Sequence, residues 1–120
     1  MWEMEGTDEF VAWFGSLTPK QKAVVIDRVD MLAAEGPLLR RPYVGEIKTS
    51  AFAPRMKELV CEAGGDSLRV LFIFDPRRTA ILLLGGNKTG RWNEWYKTAV
   101  PSADKLYRIY LRELEGEGDI

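Results

Sequence analysis

Two apolar runs joined by a tight turn constrain this chain more than any other feature. Residues 68–74, LRVLFIF, carry one charge, residues 80–84, AILLL, carry none, and DPRRT stands between them. Asp75 and Pro76 fit the first two positions of a type I turn, so the runs read as a β-hairpin. Strands with no polar alternation are covered on both faces and belong at the centre of a sheet. Pairing Asp75 with Arg78 sets Ile73 against Ala80, Leu71 against Leu82 and Arg69 against Leu84. Opposed residues share a face, so Arg69, Leu84, Gly86 and Lys88 should point the same way. A second turn at Ala63-Gly64-Gly65-Asp66 pairs Glu62 with Ser67 and lays Val60 beside Arg69, close to Arg55, Lys57 and Glu58. These registers matter because a slip of one residue exchanges the faces.

The remaining elements follow from local signals. Residues 2–5 read as a short edge strand. Thr7 is a candidate N-cap for a helix with Phe10, Trp13, Phe14 and Leu17 at helical spacing. Thr18-Pro19-Lys20-Gln21 has the form of a capping box with proline at the first helical position. Val25, Val29 and Leu32 supply that helix's buried stripe, and Gly36-Pro37 ends it. The two helices are expected to pack as an antiparallel pair. Residues 37–55 hold three prolines and scattered cations and read as an irregular connection. Beyond the hairpin, Pro101 is expected to open a last helix with Leu106, Tyr107, Tyr110, Leu111 and Leu114 on its apolar side. The order β-α-α-β-β-β-α predicts an α+β fold: a strand and helical pair packed on a small, mostly antiparallel sheet, with a C-terminal helix.

With 120 residues the chain has the length of one domain, assigned to residues 1–120. No apolar run reaches the roughly 18–20 residues that cross a bilayer, and the first residues lack the pattern of a signal peptide. The expected location is the cytoplasm, and the single cysteine, Cys61, fits a reducing compartment. There is no histidine, which argues against a structural zinc site and removes the commonest general base near neutral pH. Net charge is −1, but it is unevenly spread. Residues 1–36 hold three cations against seven acids, residues 37–100 eleven against six, and residues 101–120 three against five. A basic middle can meet a polyanion even in a nearly neutral molecule, because the local field decides.

Arg69 is the one charge inside the central strand, and burying it unpaired would cost several kcal/mol. Two explanations stand: an ion pair with Glu58 or Asp66, or a phosphate clamp built on its forked donors. Gly85-Gly86 ahead of Lys88 suits close approach of a phosphate to the backbone. The stretch lacks the longer glycine-lysine-serine/threonine pattern of a P-loop.

The segment MKELVCEAGGDSLRVLFIFDPRRTAILLLGGNKTGRWNEWY, on this frame of elements, resembles the RelE/ParE toxin superfamily, nearest to HigB-type toxins and phage Gp49-like proteins. The likeness lies in Glu58-Leu59 on one strand, Leu68-Arg69-Val70 opening the next, and Lys88-Thr89 after the third, and it spans roughly residues 2–114. It implies a RelE-like toxin that cuts mRNA, usually in the ribosomal A site, held in check by a helix-turn-helix antitoxin of the HigA kind. Such cleavage sets the ribose 2′-hydroxyl against its own phosphate and calls for no metal or other cofactor. The resemblance assigns Arg69 and Lys88 to the phosphate, Glu58 or Lys57 to the base and Tyr96 to the acid. Tyr96 also reads as a plain core or interface aromatic. Lys48, Arg55 and Arg91 are the expected further RNA contacts. Val60 stands where the superfamily usually carries arginine, and the histidine of some HigB proteins is missing. A ParE-like gyrase inhibitor or a phage-derived interaction protein without catalysis are the competing readings of the same fold.

Overall fold

The computed structural model describes residues 1–118. The elements are β1 (Glu3–Gly6), α1 (Asp8–Gly15), α2 (Pro19–Glu35), β2 (Val44–Glu46), β3 (Met56–Ala63), β4 (Asp66–Phe74), β5 (Thr79–Asn87) and α3 (Asn93–Glu117). The fold is α+β. Five strands lie in the order β1-β5-β4-β3-β2, with β1 parallel to β5 and every other pair antiparallel. The two apolar runs occupy the inner positions β4 and β5, as their composition requires.

Alternation along β4 divides the core. Leu68, Val70 and Phe72 face one way, towards Phe10, Val25 and Leu32 of the first two helices. Leu71 and Ile73 face the other way, towards Trp95, Val100 and Tyr107 of α3. Each large apolar side chain buried in this way contributes about 1.5–3 kcal/mol. Both predicted N-caps form: the Thr7 hydroxyl accepts from the Phe10 amide at 3.0 Å, and Thr18 and Gln21 make the reciprocal capping box. Thr7 also donates to the Leu83 carbonyl at 2.6 Å, which pins the start of α1 to β5. The two helices do not pack chiefly on each other. α1 lies over β5 and α2 over β3, with an apolar cleft between them lined by Phe10, Phe14, Val25 and Val29.

Three further expectations change. The connection 37–55 contains the short strand β2, which pairs with β3 through Val44–Leu59, Gly45–Glu58 and Glu46–Lys57. Three residues are too few to display a period. Pro101 does not open the last helix but lies inside it. An internal proline costs about 3 kcal/mol through its missing N–H. Trp95, Ala99, Val100 and Ala103 are buried on the sheet around it, and their summed burial outweighs that cost.

The hairpin register is the third. Asp75 pairs with Thr79, not Arg78: its amide donates to the Thr79 carbonyl at 2.8 Å. The loop is therefore Pro76-Arg77-Arg78, with Arg78 at φ +62. Proline fixes a φ suited to a type I turn, and that turn matches strand twist only when a left-handed residue follows. Ile73 thus faces Ile81 and Phe72 faces Leu82, one residue away from the predicted pairing. A bulge between Leu71 and Phe72 then adds a second offset, so Leu71 faces Leu84 and Arg69 faces Gly86. Two offsets of one residue restore the face, and Arg69 does share its side with Gly86. The β3–β4 register, with Glu62 opposite Ser67 and Val60 opposite Arg69, is as predicted.

Gly85 and Gly86 serve packing. A Cβ on Gly85 would lie 2.2 Å from the Trp13 ring on one face, and a Cβ on Gly86 would lie 2.5 Å from Trp95 Nε1 on the other. The pair forms two indole seats, back to back. Gly86→Ala should therefore lower unfolding stability by about 1–3 kcal/mol in urea, the usual cost of overpacking. Gly15→Ala, where an added methyl meets nothing within 4 Å, should not destabilise. Equal midpoints for Gly86→Ala and the parent would contradict the packing assignment.

Candidate functional site

Arg69 projects from β4 on the α3 side of the sheet and is 8% exposed. Alternation along β3 aims Glu58, Val60 and Glu62 at the same side, because Val60 lies directly opposite Arg69. The guanidinium takes both acids. Nε donates to Glu58 Oε1 at 2.8 Å, while Nη1 donates to Glu62 Oε1 at 3.0 Å and to the Leu68 carbonyl at 3.0 Å. Of the two explanations offered for this arginine, the ion pair is the one present. Its partners are Glu58 and Glu62, whereas Asp66 accepts from Gln21 Nε2 at 3.0 Å. Burial opposes the arginine's charge, but the Glu62 hydrogen bond and the charges of Tyr96, Glu58 and Glu62 outweigh it and raise the pKa.

Tyr96 completes the cluster from the first turns of α3. Trp95, one residue earlier, is seated on Gly86, and this brings the Tyr96 hydroxyl within 2.8 Å of Glu58 Oε1, to which it donates. Burial, then the hydrogen bond with Glu58 and the charge of that carboxylate, raise the Tyr96 pKa above its ordinary value. Glu58 Oε1 therefore receives two donors, from β4 and from α3. No described residue hydrogen-bonds to Oε2, and Glu58 lines an open cleft of about 630 Å³ with Lys48, Lys88, Asn93, Tyr96 and Lys97.

Lys88 stands at the end of β5, where its amide donates to the Ser67 carbonyl at 2.9 Å and the neighbouring Thr89 hydroxyl accepts from the Ser67 amide at 2.7 Å. Its ammonium lies 5.1 Å from the Tyr96 ring centroid and 5.6 Å from that of Trp92. Burial and the nearby Arg69 charge lower its pKa, against the opposing pull of Glu58 and Glu62. A cation held over aromatic faces at the edge of a cleft is placed to receive an anion.

The structure thus gathers Arg69, Glu58, Tyr96 and Lys88, with Lys48 on the cleft wall. It separates the others. Lys57 points to the opposite face of the sheet, since its neighbour Glu58 faces Arg69. Arg55 donates to the Tyr107 hydroxyl at 2.8 Å, away from the cluster. Arg91 is exposed in the turn before α3 and does not line the cleft. The turn cations that bracket the hairpin are also accounted for: Arg77 pairs with Asp75 at 2.7 Å and Arg78 lies over the Trp2 ring at 4.9 Å. Sequence reasoning missed Glu62, although its spacing of four from Glu58 along a strand was enough to place both acids on one face. It also missed Ser67, whose hydroxyl donates to Glu62 Oε2 at 2.9 Å.

This arrangement can be set beside known proteins. A family model described as phage derived protein Gp49-like matches residues 12–108. The chain belongs to the Gp49-like family. It is 44% identical over 106 residues to a protein named putative toxin HigB3 of Mycobacterium tuberculosis, covering 88% of this chain and 90% of that one. It is 38% identical over 105 residues to putative toxin HigB2 of the same organism, covering 87% of this chain and 52% of that longer relative. Its fold is similar to that of a doubly substituted form of E. coli toxin RelE in the free state, with a TM-score of 0.61 at 10% identity, covering 83% of this chain and 95% of that chain. The sheet and helices of this Gp49-like chain are therefore RelE-like, and its relatives are named HigB toxins. Among the described residues no helix is long and apolar enough to cross a membrane.

The Tyr96 contact has a consequence in alkali. Its folded pKa lies above the ordinary phenol value of 10.0, so the fold favours the protonated phenol. That stabilisation is whole below about pH 10 and is lost as pH rises through the raised value. Tyr110 is raised in the same direction, by burial first and then by its bond to Glu5. A tyrosinate absorbance titration should show one fewer late-ionising phenol in Tyr96→Phe than in the parent. An unchanged late amplitude in that variant would contradict the Tyr96–Glu58 contact.

Proposed function

We propose that this chain is the toxin of a type II toxin–antitoxin pair and an endoribonuclease, cutting mRNA in the ribosomal A site. The observation that carries this reading is Glu58: one carboxylate oxygen is fixed by two donors, and the residue lines a cleft that Lys88 also lines. In the proposed step Glu58 takes the proton of a ribose 2′-hydroxyl, and the 2′-oxygen attacks the adjacent phosphorus. The bond to the 5′-oxygen breaks, and Tyr96 gives that oxygen its proton, to be reprotonated in turn by Glu58. The products are a 2′,3′-cyclic phosphate and a 5′-hydroxyl. Lys88, with Lys48 on the cleft wall, faces the charge that builds on the phosphate oxygens. Arg69 acts through Glu58, as a positioning residue. In this reading residues 1–120 form one toxin domain, the partner that silences it is a small helix-turn-helix antitoxin of the HigA kind, and a ribosomal target places the protein in the cytoplasm.

Glu58→Gln keeps the size of the side chain and removes the base. It should reduce RNA cleavage by about 100-fold or more while the protein still folds. Induction of the parent chain in a bacterial host should halt protein synthesis before DNA supercoiling changes, and Glu58→Gln should relieve the arrest. A change in supercoiling first would favour a ParE-like gyrase inhibitor. Full cleavage by Glu58→Gln would remove the mechanism given above.

A further inference from the structure

The cleft below Lys88 is not the largest on the molecule. A second, of about 760 Å³, opens along the β2 edge. Four cations line it: Arg40, Arg41, Lys48 and Lys57. Among the described residues none of these four has a carboxylate within ion-pair distance, whereas Arg28, Arg69, Arg77 and Lys97 do. Glu46 is the one acid on the wall. In a chain with 18 acids to 17 cations, four unneutralised cations around one concavity set a strong local field. The walls between them are apolar and include Leu39 and the half-buried ring of Phe74.

Glu46 and Lys48 line both clefts. The end of β2 and the residues just after it, Glu46 to Lys48, thus form a ridge, with the Glu58–Lys88 cleft on one flank and the Arg40–Lys57 cleft on the other. A cationic groove with apolar and aromatic walls suits single-stranded nucleic acid, whose phosphates track the charges while bases lie against the walls. We propose that the β2-edge cleft is a second RNA-binding groove, taking the phosphate backbone of a single strand that crosses the ridge at Lys48 from the Glu58–Lys88 cleft. This rests on the endoribonuclease reading and deepens it by giving the strand a path. It also assigns a role to Lys57, which the sheet carries away from the catalytic candidates.

The test is fluorescence anisotropy of a labelled 15-nucleotide oligouridylate over a range of salt, with Glu58→Gln as the background so that the RNA stays intact. Arg40 and Arg41 are exposed, so Arg40→Gln/Arg41→Gln should fold, to be checked by circular dichroism. Two lost phosphate contacts should lower the slope of log K against log salt by about 1.4 and weaken binding on the order of tenfold at low salt. An unchanged slope with RNA still bound overturns the groove and leaves the enzymatic reading standing. An unchanged slope with a lost affinity for hexaglutamate assigns the cleft to an acidic protein segment instead. Absence of any RNA binding by the background protein overturns both proposals.

Discussion

A guanidinium held in the middle of a β-sheet sets the terms for the rest of this molecule. Arginine cannot discharge itself at accessible pH, so once β4 carries Arg69 into the core the sheet must bring anions to it. Taking such a charge out of water costs several kcal/mol, recovered only through well-formed pairs. Here β3 supplies Glu58 and Glu62 from the same face, and Ser67 secures the second of them. Val60 lies between the two acids and directly across from Arg69. Its short aliphatic side chain makes no claim on either carboxylate, where an arginine would compete for both. The ion pair joins β3 to β4, and Tyr96 extends it to α3.

Room for this cluster comes from β5. The bulge beside Leu71 sets Gly86, not Gly85, opposite Arg69, and the bare backbone at Gly86 lets Trp95 descend onto the sheet. With Trp95 seated there, the next residue, Tyr96, reaches Glu58. The glycine pair thus governs the site at one remove, by setting the depth at which α3 docks. The same element then carries Pro101 within its length, because its buried face holds it to the sheet on both sides of that residue.

Much of the fold was legible in the sequence because its signals are local. The capping box at Thr18, the cap at Thr7 and the apolar runs of β4 and β5 each act within a few residues, and all appear in place. The β3–β4 register was legible for the same reason, since a short turn fixes it. Most of what was not legible depends on distant partners; the β4–β5 register, set by its own turn, is the exception. The start of α3 is decided by burial against the sheet and not by Pro101, and the strand β2 exists because β3 offers it an open edge. At the candidate site, Glu58, Arg69, Lys88 and Tyr96 were singled out in the sequence and lie together in the fold. Lys57 and Glu58 are adjacent in the chain, and the pleat sends them to opposite faces. The two glycines pointed to a phosphate because nothing local shows that they seat Trp13, which lies far away in sequence, and Trp95.

In this arrangement Arg69 holds Glu58 rather than gripping a ligand itself, and a double-mutant cycle on the folded protein measures that directly. Urea unfolding of Glu58→Ala, Arg69→Ala and the double variant gives the coupling between the two side chains independently of any substrate. The ion pair predicts an interaction of about 1–3 kcal/mol, with the double variant less destabilised than the two single losses combined. Losses that add to within about 0.5 kcal/mol would show that the two residues do not sense each other, and the arrangement of the site around Glu58 would have to be abandoned.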